Sequence, residues 1–358
     1  CSRNLDLVDS EIAEKWLEPR LKSELPSPFI LKDMSRAVKR IIDAFKHNQK
    51  IAIFGDYDVD GATSSALLYR TFQMFGIEPI IYIPDRIKEG YGPNISALDK
   101  LKNEGIDLLI TVDCGATAAD EIRIASNFNI DTIVTDHHTM DTVIPEACAL
   151  INPRHPNSTY PFSGLTGVGM AYKLIEALHK HMQLQVPEHL MELVAIGTVA
   201  DVGVLKDENR YMVKKGLYFI NTTQNIGIRT LAEIAKLNLG SLNTEDLSFG
   251  LIPRINVASR LDHAYTSLKL LVSNNRKEAK ALASILEAKN LERRRLTDVA
   301  FKEAIRQVET EERVNGVPPI IFVASENWLP GVLGLIASKL SEYYYRPSIA
   351  IALGNKQS

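Results

Sequence analysis

The sequence predicts an α/β fold, with a mostly parallel sheet in a main lobe, a long connecting helix and the start of a second, smaller α/β lobe. Between residues 51 and 134, short apolar runs alternate with amphipathic helical runs. Strands of that kind, joined by helices, form a parallel sheet covered on both faces. Residues 274–310 contain neither Gly nor Pro and are rich in Ala, Glu, Lys and Arg. After Gly316-Val317-Pro318-Pro319 the strand and helix signals begin again. The length of 358 residues suits two domains and part of a third, at about 150 residues per domain.

Residues 1–48 read as a helical, charged extension, in which Ser35–Asn48 places Ala37, Val38, Ile41, Ile42 and Phe45 at helical spacing. The main lobe, residues 49–272, opens on a buried-type strand at Ile51–Phe54. A helix at Ser64–Phe75, a strand at Ile80–Ile83, a helix at Ile95–Glu104 and a strand at Leu108–Val112 follow. A helix at Ala118–Phe128 and a strand at Thr132–Val134 complete the alternation. From Val168 the pattern is mainly helical, through Lys180, Leu190–Val199 and Val213–Asn221. The connector, residues 273–312, holds the run at 274–310, which as one helix would span on the order of 50 Å. Residues 313–358 supply a strand at Ile320–Ala324, a helix at Gly331–Tyr343 and a strand at Ser348–Leu353. The sequence opens on Cys1 and stops at Gly354-Asn355-Lys356-Gln357-Ser358, just past a strand-like run, so a fragment is expected.

Hydrophobic residues are 45% and charged residues 24%, which excludes long disorder, a collagen-like repeat and a disulfide mini-scaffold. Lys and Arg number 41 against 44 Asp and Glu, for a net charge of −3. A globally basic nucleic-acid binder is not indicated, although a basic groove beside an acidic site gives the same sum. No apolar run approaches the roughly 20 residues of a membrane span. Cys1, Cys114 and Cys148 form no C-x2–4-C pair, so reduced thiols in a cytoplasmic protein are expected.

The sharpest local signal is IAIFGDYDVDGATSSALL, where Asp56, Asp58 and Asp60 lead from a strand into a helix. Three carboxylates in five residues repel one another unless a hard cation sits among them. The letters also match the start of a calcium loop, but position twelve is Leu67 rather than Glu and a strand precedes the loop. LLITVDCG puts Asp113 at the tip of a second strand, and TIVTDHH puts Asp136, His137 and His138 at a third. Singly, each Asp could be a turn former or helix cap. Adjacent histidines in an extended segment point to opposite sides, so one of the pair is expected to face a metal. Successive strand tips of one sheet nonetheless converge on one edge. Asp201, in AIGTVADVGVLKDENR, is a helix cap or a fourth contribution. Asp60, Asp113, His137 and Asp201 would then hold one ion, with Asp56 or Asp58 and a shared Asp113 holding another. Carboxylate and imidazole donors favour Mn²⁺, with Mg²⁺ as substitute.

DYDVDG, VDCG, DHH and GTVADV, in this order and spacing, resemble the four motifs of the DHH phosphoesterases. LTGVGMAYKL, RINVASRLDHA and WLPGVLGLIASKL resemble the RecJ branch, the single-strand-specific 5′→3′ DNA exonucleases, and the likeness extends from Pro28 to Leu353. It implies a two-metal hydrolase releasing 5′-mononucleotides in DNA repair and recombination, with a DHH catalytic domain at 49–272 and a truncated DHH-associated domain at 313–358. Asp113, as bridging ligand, Asp136 and His138 are the implied catalytic set, His138 approaching the scissile phosphate or supporting the metal ligands. Arg260 is the implied contact to a terminal 5′-phosphate, with Arg254 and Asn256 nearby. Arg86 is a DNA-facing position or a solvated loop charge. Gly164, Gly167 and Gly169 could offer N–H groups to phosphate, or serve close packing.

The chain departs from the branch at Trp328-Leu329-Pro330-Gly331-Val332, where W-H-x-G-V is usual, and the usual Gly-Ser-Gly-Arg-Ser segment and oligonucleotide-binding barrel are not in it. The partners implied are single-stranded DNA, single-strand-binding protein and a helicase, for a monomer with no membrane association. A phosphodiesterase of short oligonucleotides or cyclic dinucleotides, and an inert replication scaffold, are the alternatives.

Overall fold

The structure, a computed structural model, describes residues 25–354. The helical reading of residues 1–24 and the final residues 355–358 lie outside the described part. Helix α1 (Met34–Lys46) leads into a five-stranded sheet of β1 (Ile51–Gly55), β2 (Ile80–Tyr82), β3 (Leu108–Val112), β4 (Asp131–Thr135) and β5 (Ala149–Ile151). All its pairs are parallel and the strand order is β2-β1-β3-β4-β5. β5 is a further strand, absent from the sequence reading. Three residues of CALIN at the sheet edge carry too little periodicity to stand out from a loop.

The central strands IAIFG and LLITV are buried throughout, as a sheet covered on both sides requires. Their residues alternate between two cores. Ile51 and Ile53 face a large core that includes helices α1, α2 (Val59–Met74), α5 (Gly167–His181) and α6 (Met191–Ala200), whereas Ala52 and Phe54 face a smaller one under α3 (Ile95–Asn103) and α4 (Ala119–Asn127). The order reverses direction between β1 and β3, and there the loops leave on opposite faces and open a crevice. Helix α2 starts at Val59, ahead of the expected Ser64, because Asp58 caps it by accepting from the Gly61 N–H at 3.0 Å.

Helices α7 (Asp207–Asn221), α8 (Ile226–Ile234), α9 (Ile252–Leu261) and α10 (Tyr265–Val272) extend the large core. Helix α11 (Arg276–Asn315) is 40 residues long, about 60 Å at 1.5 Å per residue. Its first part lies on α8, α9 and α10. Its later part, through Ala300, Ala304 and Val308, walls a separate small core with β6 (Ile321–Ser325), α12 (Leu333–Tyr344) and β7 (Ser348–Ala352). β6 and β7 pair in parallel. Among the described residues, no helix is long and apolar enough to cross a membrane.

Candidate metal centre

The acids gather at the crevice because each stands at the end or the start of an element. Asp56 leaves β1, Asp58 caps α2 and Asp60 stands in its first turn, where the helix dipole favours a carboxylate. Asp113 leaves β3 with a left-handed φ of 62°, a conformation uncommon outside glycine. Asp201 terminates α6.

The His137 Nε2 atom lies 3.0 Å from Asp113 Oδ1 and 3.9 Å from both Asp60 Oδ2 and Asp201 Oδ2. Three overlapping sets have ligand atoms within 4.8 Å of one another: Asp60, His137 and Asp201; Asp56, Asp58 and Asp113; and Asp113, Asp136, His137 and His138. Asp113 belongs to two of them, the Asp56 set and the Asp136 set, and His137, 3.0 Å from it, links it to the set with Asp60 and Asp201.

The charge balance fits a bound cation. The Asp56 Oδ1 atom is buried without a hydrogen-bond partner. Burial, and then the Asp58 charge, pushes the Asp56 carboxyl up to about 7. Burial followed by neighbouring carboxylates raises Asp60 and Asp113 well above the ordinary range, and Asp201 to about 6. Carboxylates this crowded need a divalent ion to stay ionised together. The donors are oxygens and one imidazole nitrogen, the set suited to Mn²⁺ or Mg²⁺.

Asp136 is placed differently. Its Oδ1 accepts from the backbone N–H groups of His137 and His138 at 2.7 and 3.1 Å, and its Oδ2 from Ala116 N–H at 2.8 Å. His138 Nδ1 adds a contact to Oδ1 at 2.8 Å. Burial pushes this carboxyl up, but the His138 and backbone hydrogen bonds outweigh it and hold the group below the usual range. Asp136 therefore organises the tip while other acids face the crevice. The same contacts correct the expectation that the histidines diverge. The chain leaves extended geometry after Thr135 as Asp136 gathers both N–H groups, and the two rings lie 4.3 Å apart on one side. The hydrogen bond to Asp136 raises the His138 imidazole above its ordinary value, and the side chain is 43% exposed.

The basic candidates divide. Arg86 sits 5.0 Å over the Tyr57 ring, close enough for its charge to offset a little of the rise at the Asp56 carboxyl. Arg260 donates from Nη1 to the Gly331 carbonyl at 3.0 Å, joining α9 to the small lobe, and feels the charges of Arg86 and Asp58. Asn256 is partly exposed and its Oδ1 accepts from Ser259 at 3.3 Å. Arg254 is a correction. It is buried, paired with Glu287 through Nε and, at 3.1 Å, Nη2, and donates to Gly250 O at 2.8 Å, so it faces the core rather than the crevice.

Of the two readings of the glycines, the structure shows close packing. Gly167 and Val168 N–H groups donate to Asp60 at 2.7 and 2.8 Å, and a Cβ on Gly167 would come 2.4 Å from Asp113 Oδ1. Close approach is their use. Gly169 N–H goes to the cap Thr166 at 3.4 Å. Trp328 is buried with its indole N–H on Glu303 at 2.9 Å, while Leu329 is exposed.

Two neighbours of the centre were missed. Arg154, in INPRHP, bears electrostatically on His137 and Asp201. Tyr91 contacts His138 and the Asp113 backbone. Neither stands beside an acid in sequence, and GYG and NPR are ordinary loop letters.

Comparison with known proteins places this geometry among relatives. Residues 50–198 match the DHH family, N-terminal domain. A single-stranded-DNA-specific exonuclease RecJ of Bacillus subtilis (strain 168) is 39% identical over 330 residues, covering 92% of this chain and 41% of the relative. A crystal structure of exonuclease RecJ bound to manganese superposes with a TM-score of 0.80 at 33% identity, covering 90% of this chain and 80% of that one. RecJ from Thermus thermophilus in complex with Mn²⁺ gives 0.80 at 30% identity, over 98% and 51% of the two chains, and its complex with Mg²⁺ gives 0.72 at 29%, over 95% and 45%. The chain spans less than two thirds of the length of the curated relatives it matches.

Proposed function

This chain belongs to the DHH family, in its RecJ branch, and we propose that it is the catalytic part of a metal-dependent exonuclease that shortens single-stranded DNA from the 5′ end to 5′-mononucleotides, in repair and recombination. The observation that carries the proposal is the convergence of Asp56, Asp58, Asp60, Asp113, His137 and Asp201 at one crevice, with Asp113 common to two sets of ligand atoms. These six would hold two ions, Mn²⁺ or Mg²⁺. Bound there, a pair of ions lowers the pKa of water and neutralises charge on a phosphate in an in-line displacement.

The chain's own groups position the substrate. His138, held at Nδ1 by Asp136, which raises its imidazole above the ordinary value, would in its imidazolium form offer Nε2–H to a phosphate oxygen. Arg260 and Arg86, with Asn256, offer donors on the β1 side, and the guanidinium fork suits a terminal phosphate. Arg154 flanks the β4 side. Asp136 keeps the DHH tip in register. We read residues 1–48 as an extension, 49–272 as the catalytic domain, 273–312 as the connector and 313–358 as the start of a DHH-associated domain. A cytoplasmic monomer, working with single-strand-binding protein and a helicase, is the setting we propose.

The test is digestion of 5′-labelled and 3′-labelled single strands with Mn²⁺ present. Release of labelled mononucleotide from the 5′ end first supports the proposal. Release from the 3′ end, or faster turnover of dinucleotides than of long strands, contradicts it.

A further inference from the structure

We propose that Tyr91 is a positioning residue that fixes the tautomer and orientation of His138 against the acidic edge; the inference rests on the nuclease reading above. Tyr91 lies in the loop between β2 and α3, between Gly90 and Gly92, whose φ values are 79° and 77°. Two left-handed residues flanking one side chain are readily supplied by glycine, and they turn the phenol back over the sheet edge.

The Tyr91 hydroxyl stands 3.0 Å from the backbone oxygen of Asp113 and 3.0 Å from His138 Nδ1, and its ring meets the imidazole edge-on at 5.6 Å and 76°. Hydrogen counting decides the roles. A carbonyl oxygen only accepts, so the single phenol proton goes to Asp113 O. The hydroxyl then presents a lone pair to Nδ1. Asp136 Oδ1, 2.8 Å from the same nitrogen, is an acceptor as well. Two acceptors converging on one ring nitrogen require it to carry hydrogen, and Nε2 is the atom presented outward. A hydroxyl thus ties the residue after β3, in the acid cluster, to the imidazole after β4. Asp136 alone would leave the ring free to tilt away from the carboxylate and so to exchange its ring proton between the two nitrogens. The Tyr91 contact from a second direction removes that freedom.

Tyr91→Phe deletes one hydroxyl and keeps the ring. In the full chain with Mn²⁺, kcat on a 5′-phosphorylated single strand is expected to fall about tenfold, in the range seen when a supporting partner is lost, with KM and the Mn²⁺ half-saturation point unchanged. On a His138→Ala background, Tyr91→Phe is expected to cost nothing further, because its effect passes through that ring. Tyr91→Gln, which restores a donor and an acceptor, is expected to recover part of the rate. Independently of turnover, ¹⁵N resonances of His138 in the metal-free chain are expected to report one Nδ1–H tautomer in the wild type and a mixture in Tyr91→Phe. Wild-type kcat in Tyr91→Phe, a full additional loss on the His138→Ala background, or an unchanged His138 tautomer would overturn the proposal. Failure of the wild-type chain to cleave single strands would instead sink the nuclease reading, while the resonances still decide the role of Tyr91.

Discussion

Arg254 and Arg260 stand almost two turns apart on α9 and separate stability from binding. Arg254 is committed to Glu287, so Arg254→Met leaves a carboxylate without its partner. The expected cost is on the order of 2 kcal/mol, below the roughly 3–5 for fully buried pairs, because the Glu287 side chain keeps 21% of its exposure. Urea unfolding checks this, with KM for the strand expected to stay within about twofold. Arg260→Met is expected to act mainly on binding, raising KM at least tenfold, as for loss of a charged hydrogen bond, with a loss of stability in urea no larger than about 1 kcal/mol for the single Gly331 hydrogen bond it also loses. The acids were legible from the sequence because three carboxylates in five residues have few peaceful explanations. The arginines were not, since Arg254 and Arg260 share one motif and only the long helix, through Glu287, decides which of them is buried. Tyr91 and Arg154 reach the centre from loops across the sheet edge, a contact that no local spacing encodes.

At the level of elements, the site depends on the N-terminus of α5 lying flush against the ends of β1 and β3. Gly167 permits this, and its N–H and that of Val168 hold Asp60. Gly167→Ala would set a methyl 2.4 Å from Asp113 Oδ1. The helix end must then retreat, at a cost of about 1–3 kcal/mol, and Asp60 loses its donors. Isothermal titration is expected to show Mn²⁺ affinity at least tenfold weaker in this variant; unchanged affinity would mean that the α5 contact is dispensable. Most of the parallel sheet was readable, because apolar runs such as IAIFG and LLITV lie between amphipathic helices. The short edge strand β5 and the early start of α2 were not. β5 has three residues, and the start of α2 is set by a cap, which competes with the metal-ligand explanation of the same Asp58.

For the whole molecule, the clustered carboxylates oppose folding unless something neutralises them. Asp56, raised from 3.8 to about 7, and Asp201, raised to about 6, hold protons in the folded chain that the unfolded chain has already released. Their penalty is absent below about pH 4, grows as pH rises and is complete above about pH 7. With a chelator present, the urea midpoint is therefore expected to fall between about pH 4 and 7 and to level off above that, and Asp56→Asn to reduce that fall. Added Mn²⁺ should restore stability most at the higher pH, since binding to the folded state alone stabilises it. The central claim is that this edge is a shared two-ion site with Asp113 common to both halves, and calorimetric titration of Mn²⁺ into wild-type chain and Asp113→Ala tests it most directly. The expected result is two ions per wild-type chain and a loss of affinity at both in the variant. A single ion in the wild type, or Asp113→Ala still binding two ions with wild-type affinity, would contradict it.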